Sequence, residues 1–253
     1  MKKILLCSIN ARFSHTNLAI RYLRSYITQK APSAEAVIRE WTIQQPLLDI
    51  IRDISEENPD LVLFSVYIWN RELSFKVMGE LKKLFPNTPI GAGGPEVSWQ
   101  AERLFRENPV PDFIVQGEGE ETVAEIAASL AQGNLSLQLI PGIWYRNGEH
   151  PERALFSGER RLIEDLDAIP FPYELAGNLP EDAPNRIIYY ESARGCPFRC
   201  AYCLSSIDRS VRYFSLERVI RDLDFFLEKR LPLVKFVDRT FNLDPERYAA
   251  IWE

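Results

Sequence analysis

Leu61-Val62-Leu63-Phe64-Ser65-Val66-Tyr67 is a nearly continuous apolar run, without the regular alternation of apolar and polar residues. A strand of this kind is buried on both faces, which is typical of a parallel sheet with helices packed on each side. Residues 71–85 follow it with the pattern of a helix. The two segments together predict one strand–helix unit.

The same unit recurs along the first half of the chain. Short apolar runs predict strands at residues 4–9, 36–41, 61–67, 89–93 and 113–116. Helical patterns alternate with them at residues 17–29, 47–57, 71–85, 96–105 and 120–131. These units predict an α/β fold, a doubly wound parallel sheet over residues 1–132, whose ligands bind beyond the carboxyl ends of the strands. The candidate binding loops are therefore residues 10–17, 65–70, 91–98 and 117–121.

The pattern changes over residues 133–185. Residues 143–146 predict a strand that enters a two-residue type I′ turn at Asn147-Gly148. Prolines then interrupt the chain at Pro170, Pro172, Pro180 and Pro184. Because proline excludes a continuous helix, we interpret this part as a hairpin followed by a stiff connector.

Residues 186–253 predict the start of a parallel barrel. A strand at 186–192 is followed by a cysteine-rich loop, a helix at 216–229 capped by Ser215, and a second strand at 233–238. A further helix is expected to begin near Asp244. Two barrel strands cannot close a core, so we expect the chain to be a truncated piece of a longer protein, inactive by itself.

Composition excludes several classes of protein. The chain has 253 residues, 46% of them apolar, and a formal net charge of −6, which is unfavourable for binding nucleic acid or an anionic membrane surface. The apolar run at residues 4–9 is too short for a secretory signal, and no later run approaches a membrane span. We expect a cytoplasmic protein without nucleic-acid or membrane partners.

The cysteine motif lies at residues 195–203, Gly-Cys-Pro-Phe-Arg-Cys-Ala-Tyr-Cys, and spaces Cys196, Cys200 and Cys203 as Cys-x3-Cys-x2-Cys. In a reducing compartment such a group favours metal binding over disulfides. Thiolates are the ligands of iron–sulfur clusters, and three of them on a four-iron cube leave one iron open to bind another molecule. The motif follows a predicted strand, where α/β barrels place their active sites.

Zinc is the alternative metal, with a fourth ligand from His150 or Cys7. Zinc ligands usually occur as two closely spaced pairs, and the sequence has no second pair. The spacing therefore favours an iron–sulfur cluster.

The cysteine motif resembles that of the radical S-adenosylmethionine superfamily at every position. The resemblance implies that Cys196, Cys200 and Cys203 hold a 4Fe–4S cluster, whose open iron chelates the amino and carboxylate groups of S-adenosylmethionine. One electron, from a donor such as flavodoxin or ferredoxin, would cleave S-adenosylmethionine to a 5′-deoxyadenosyl radical. Tyr202 would pack near the adenine, and Asp238 would accept hydrogen bonds from the ammonium group. The alternative for Asp238 is a helix-capping or salt-bridged residue.

Residues 1–130 and the connector at 166–172 resemble the radical S-adenosylmethionine proteins that carry an upstream cobalamin-binding domain, which is Rossmann-like or flavodoxin-like. That family typically shows Asp-x-His-x-x-Gly, then Ser-x-Leu, then Gly-Gly. Here the corresponding positions hold His15 without the Asp or the Gly, then Ser65, then Gly93-Gly94. Small residues at such turns, with Gly117 among them, let the backbone approach a cofactor closely. His15 is either an axial cobalt ligand or a polar loop residue.

The resemblance implies a cobalamin-dependent radical S-adenosylmethionine enzyme that transfers a methyl group to an unactivated carbon of an acceptor substrate. One alternative is a radical S-adenosylmethionine enzyme whose upstream domain no longer binds cobalamin. Another is a non-catalytic protein that binds cobalamin or an iron–sulfur cluster. The acceptor is not identified by these residues.

Overall fold

A computed structural model describes residues 1–208 and 210–253. The chain forms two compact units. The first consists of Met1–Phe13 with Ala19–Leu162, and the second of Ser14–Leu18 with Ile163–Glu253. The predicted boundaries at residues 132 and 185 differ from this division, because the hairpin belongs to the first unit and the proline-rich connector to the second.

The first unit is built on a seven-stranded sheet with the order β2-β1-β3-β4-β5-β6-β7. Its strands are β1 (Lys2–Asn10), β2 (Ala34–Thr42), β3 (Leu61–Ser65), β4 (Ile90–Gly93), β5 (Phe113–Val115), β6 (Ile143–Arg146) and β7 (Ala154–Phe156). The helices are α1 (Leu18–Lys30), α2 (Leu47–Glu57), α3 (Arg71–Leu84), α4 (Ala101–Glu107) and α5 (Glu120–Ala131). Strands β1 to β5 pair in parallel, which confirms the predicted doubly wound α/β fold.

Helices cover both faces of this sheet because successive side chains of a strand point to opposite sides. Leu5 packs in a core with the apolar residues of α2, α3 and α4. Its neighbour Ile4 packs in a second core with those of α1 and α5. Each central strand therefore needs apolar residues at consecutive positions. Continuous apolar runs of this kind are the pattern from which the strands were predicted.

Two local predictions in the first unit are wrong. The helix predicted from residue 96 begins at Ala101, because residues 94–100 form turns in which Val97 and Ser98 donate their amides to Gly94 O. The tight turn predicted at Asn147-Gly148 is a longer connection over residues 147–153, closed by Asn147 N donating to Arg153 O at 3.1 Å. The hairpin pairs antiparallel with β5 and so extends the first sheet.

The second unit contains β8 (Ile188–Tyr190) and β11 (Val234–Phe236), which pair in parallel, and α6 (Leu216–Glu228) between them in the chain. Both strands are shorter than predicted. Two-residue strands β9 (Ala193–Arg194) and β10 (Arg212–Tyr213) pair antiparallel, and α7 (Pro245–Trp252) follows β11. Ser215 caps α6 by accepting from Arg218 N, as predicted, and Asp244 caps α7.

A buried ion pair lies in the core of the second unit. Arg218 Nε donates to both carboxylate oxygens of Asp222, at 2.9 and 2.8 Å, and its Nη1 donates to Ile169 O at 3.0 Å. The guanidinium lies 5.8 Å from the ring centroid of Phe171. Burial raises the pKa of Asp222, although Arg218 opposes that shift. Arg218 therefore holds the connector to α6, and Asp222 balances its charge inside the core.

We predict that Arg218→Ala destabilises the second unit by about 3–5 kcal/mol, because it leaves the Asp222 carboxylate as an uncompensated buried charge. Hydrogen exchange of α6 peptides, followed by mass spectrometry, measures the change. The matched control is Arg221→Ala, whose exposed guanidinium lies 3.7 Å from the same carboxylate and whose loss costs less than about 1 kcal/mol. Equal protection in the two variants would contradict the proposed role of Arg218.

In the part of the chain that the structure describes, no helix has both the length and the apolar character that a membrane span requires.

Candidate functional site

The carboxyl ends of β1, β3, β4 and β5 meet at one edge of the first sheet, where such folds bind ligands. Ser65, the last residue of β3, is paired with Ser8 on one side and with Gly93 on the other. Gly94 and Gly117 follow β4 and β5 at the same edge. Four of the predicted cobalamin-binding positions thus lie at one end of the first unit.

The two predicted glycines after the strands differ in what surrounds them. Gly94 has a φ of +106°, and a Cβ there would lie 2.6 Å from Val66 O. This glycine is required because the turn after β4 packs against the backbone after β3. Gly117 also has a positive φ, +77°, but a Cβ there would meet nothing within 4 Å. There is open space beside Gly117 for another group to approach.

Sequence reasoning missed Asn70, which is buried at this edge. Its Nδ2 donates to Ile9 O at 2.9 Å and to Ser65 O at 3.1 Å, while its Oδ1 accepts from Tyr67 N at 2.8 Å. Asn70 therefore holds the loop after β3 against the end of β1. An asparagine directly before a helix was the available signal, since its side chain readily bonds nearby backbone.

Two aromatic rings stand on the loop that Asn70 holds. Tyr67 and Trp69 stack with centroids 4.5 Å apart and an angle of 9° between their planes, and Trp69 is half-exposed. The edge thus combines small residues, open space at Gly117 and a flat apolar surface. These features fit a large planar cofactor that carries a polar tail.

His15 belongs to the second unit, unlike the other predicted cobalamin residues. Its Nδ1 lies 2.6 Å from the Tyr189 hydroxyl, and the two rings stack with their centroids 6.0 Å apart. The residues on either side of His15 bond the backbone of Ile187. Thr16 Oγ1 donates to Ile187 O, and Ile187 N donates to Ser14 O. The segment runs beside the start of β8 through a parallel bridge between His15 and Ile187.

The cysteine loop, residues 195–211, connects β9 with β10. All three of its cysteines are free thiols, with Cys196 buried and Cys200 and Cys203 partly exposed. Cys203 N donates to Cys200 O at 3.0 Å, which brings these two residues into one turn. Gly195 opens the loop with a φ of +93°, and a Cβ there would lie 1.8 Å from Ser210 O. Only glycine fits at this position.

The donor chemistry of the loop suits an iron–sulfur cluster. Hydrogen bonds from Ser205 lower the pKa of Cys203, which favours the thiolate that binds metals. Over residues 1–208 and 210–253, no three His, Cys, Asp or Glu side chains are already gathered as ligands of one metal ion. The loop supplies three free thiols, the ligand type of iron–sulfur clusters. The three sulfur atoms are not yet close enough together to bind one metal ion.

The residues considered as a fourth zinc ligand lie in the first unit, whereas the motif lies in the second. Cys7 is fully buried in β1, its Sγ is 3.9 Å from Leu5 O, and burial raises its pKa well above the usual range. His150 is exposed, with its Nδ1 3.5 Å from Glu152. Neither residue shares the compact unit of the three cysteines.

Tyr202 and Asp238, the predicted S-adenosylmethionine residues, have contrasting surroundings. Tyr202 is 93% exposed. Asp238 Oδ1 accepts from Ser192 N at 2.8 Å and from Ala193 N at 2.5 Å, and burial raises its pKa. The carboxylate thus bonds backbone at the start of β9, and among the residues that the structure describes it neither caps a helix nor forms a salt bridge. Their roles as ligands stay predictions.

Comparison with known proteins bears on both units. Residues 5–127 match the B12 binding domain family. An uncharacterized methyltransferase of Pyrococcus horikoshii is 33% identical over 210 residues, covering 79% of this chain and 44% of the relative. The cobalamin-dependent radical SAM methyltransferase TokK of Streptomyces tokunonensis is 26% identical over 235 residues, covering 88% of this chain and 34% of the relative.

The chain belongs to the cobalamin-binding radical S-adenosylmethionine proteins. The resemblance seen in its sequence is thereby confirmed. The chain spans less than half of the length of the curated relatives it matches.

A solved structure supports the fold of this cobalamin-binding radical S-adenosylmethionine protein. The cobalamin-dependent S-adenosylmethionine radical enzyme OxsB, with aqua-cobalamin and S-adenosylmethionine bound, superimposes with a TM-score of 0.78 at 21% identity. The match covers 95% of this chain and 34% of that one. At this identity the likeness shows the shared fold.

Proposed function

We propose that this chain is the cofactor-binding portion of a cobalamin-dependent radical S-adenosylmethionine enzyme that methylates an unactivated carbon. One observation carries the proposal: three free cysteines occupy a loop after β8, in a chain whose residues 5–127 match the B12 binding domain. In such an enzyme the cluster supplies the electron that cleaves S-adenosylmethionine, and cobalamin supplies the methyl group. The names of the methyltransferase relatives favour this reaction.

The cysteine loop would hold the cluster through Cys196, Cys200 and Cys203. The hydrogen bonds from Ser205 prepare Cys203 for metal binding, because they stabilise its thiolate. Tyr202 is exposed and could cover the adenine of S-adenosylmethionine. Three thiolates would leave one iron of such a cluster without a protein ligand, and S-adenosylmethionine would bind there.

The carboxyl edge of the first sheet would hold the cobalamin. Ser65 and Gly93 end β3 and β4, and Gly117 follows β5, so the edge carries a small side chain or none at these positions. The open space at Gly117 admits the nucleotide tail, and the Tyr67–Trp69 stack offers an apolar surface to the flat ring system. An electron carrier such as flavodoxin or ferredoxin and an acceptor substrate complete the proposed reaction.

Each cysteine of the motif should be required for iron. Anaerobic reconstitution of the chain is expected to give about four iron atoms per chain, and a cluster spectrum that changes when S-adenosylmethionine is added. Cys196→Ala, Cys200→Ala and Cys203→Ala should each lose most of the iron. Cys7→Ala is the matched control, because it removes the fourth cysteine from a buried strand of the first unit. Zinc in place of iron, or equal iron loss in the control, would refute the cluster assignment.

Gly117→Ala should weaken cobalamin binding, measured by equilibrium dialysis with hydroxocobalamin, by about tenfold or about 1.4 kcal/mol. The added methyl group fills the open space at the carboxyl edge and strains a positive φ. Gly133→Ala is a close control, since Gly133 has a φ of +78° and equally open surroundings but follows α5. Both variants carry the same backbone strain, so equal losses of affinity would mean that strain alone is responsible.

His15→Ala should leave the electron paramagnetic resonance spectrum of bound cob(II)alamin unchanged. The reason is that Nδ1 of the imidazole already lies 2.6 Å from the Tyr189 hydroxyl. Loss of nitrogen coupling in the spectrum of the variant would instead identify His15 as the axial ligand.

A further inference from the structure

The cysteine loop is closed by a very short ladder. Strands β9 and β10 contribute two residue pairs, Arg194 with Arg212 and Ala193 with Tyr213. They form a sheet of their own, and a two-stranded ribbon of this length is not stable in water by itself. The geometry of the loop therefore depends on contacts that hold this closure, which we call the neck (residues 192–194 and 212–214).

One side of the neck is held by Asp238, which follows β11. One carboxylate oxygen accepts from Ser192 N at 2.8 Å and Ala193 N at 2.5 Å, and the other lies 3.3 Å from Ser192 Oγ. Hydrogen bonds to a charged acceptor are stronger than those between neutral groups. Ser192 is buried, so its amide would be costly to leave without an acceptor.

The other side of the neck is held by Arg247, on α7. Its Nη2 donates to Ser192 O at 3.1 Å and to Phe214 O at 2.8 Å, and its guanidinium lies 4.8 Å from the ring centroid of Tyr213. Ser192 O also accepts from Phe214 N at 3.1 Å. Arg247 therefore joins the two strands of the neck.

Asp238 and Arg247 both bind the backbone of Ser192. Asp238 accepts a hydrogen bond from its amide, and Arg247 donates one to its carbonyl. Each also bonds a second point, which is Ala193 N for Asp238 and Phe214 O for Arg247. Two charged side chains from the segment after β11 thus determine where the cysteine loop begins and ends. Gly195, which leaves no room for a side chain, follows directly.

We propose that Asp238 and Arg247 are positioning residues of the cluster site: they clamp the neck and so set the spacing of the three cysteines. This inference rests on the proposed function, in which those cysteines hold the cluster. It assigns Asp238 to the cluster loop and not to direct contact with S-adenosylmethionine. If Asp238 were only a ligand of S-adenosylmethionine, its removal would leave the loop and the iron intact.

The first experiment uses the metal-free chain, so that it does not depend on any cofactor. Trypsin cleavage after Arg194, whose largely buried side chain pairs with Glu191 inside β9, reports how often the neck opens. Asp238→Ala and Arg247→Met should each speed this cleavage by about tenfold, the effect expected from losing a charged hydrogen bond. The methionine keeps an apolar stem beside Tyr213 and removes the two hydrogen bonds to carbonyl groups.

The second experiment measures iron after anaerobic reconstitution of the same variants. Asp238→Ala and Arg247→Met should retain less than about half of the iron held by the parent, because the loop loses its fixed spacing. Asp238→Asn keeps one carbonyl acceptor for the two amides and should recover much of the loss. Arg247→Met decides the question if Asp238→Ala fails to fold, because it removes the other side of the clamp.

Matched controls remove the same groups elsewhere in the second unit. Asp165→Ala deletes a carboxylate that accepts from Asp167 N at 3.0 Å, and Arg221→Ala deletes an exposed guanidinium of α6. Both should behave as the parent does in the two experiments.

The proposal is overturned if Asp238→Ala keeps the parent rate of cleavage and its iron, and loses only the spectral response to S-adenosylmethionine. A parent chain that binds no iron would refute the proposed cluster. In that case the cleavage rates of the metal-free variants still decide whether Asp238 and Arg247 clamp the neck.

Discussion

The fold of the first unit depends on burying β1, β3 and β4 on both faces. Leu5 and Ile4 are adjacent in β1, yet they belong to two separate apolar cores on opposite sides of the sheet. This requirement places helices on each side and makes the connected strands parallel. As a consequence the strands end together, and Ser65 comes to lie beside Gly93. The candidate cobalamin edge is a result of how the core is buried.

The second unit combines an aromatic core around Phe226 with charged groups that bond its connector and the neck of its cysteine loop. Its polar groups include the buried ion pair of Arg218 with Asp222 and the half-buried carboxylate of Asp238. Two of these side chains bind backbone atoms of a segment remote in sequence: Arg218 binds the connector, and Asp238 binds the start of β9. Residues 197–199, 201 and 202 of the cysteine loop are exposed, so burial of their side chains does little to fix the loop. Charged hydrogen bonds to its neck provide that order instead.

Several elements could be predicted to the residue, and others could not. The predicted bounds of α2 and α5 agree with the structure because their apolar periodicity is regular from end to end. The start of α4 was misplaced, since Ser98 bonds back to Gly94 O and keeps the preceding residues in turns. The Asn147-Gly148 signal indicated a hairpin correctly, but the connection is longer than the local turn rule implies. Local patterns predict the type of an element better than its ends.

The side chains that position the two candidate sites are harder to predict from the sequence than the helices and strands are. Arg247 acts on backbone atoms far along the chain, so no spacing or periodicity reveals it. The position of Asn70 before α3 indicates its local bonds but not the one to Ile9 O. His15 matched a cofactor pattern by position, yet the fold places its segment beside Ile187 in the second unit.

The sequence by itself determined the doubly wound sheet, because its central strands are apolar at consecutive positions. It also determined the three thiols, because their spacing is local to one loop. Only the tertiary structure decided that Asp238 and Arg247 meet at Ser192 and that His15 meets Tyr189. The physical reason is that hydrogen bonds between distant segments depend on how the chain folds back, which short-range patterns do not encode.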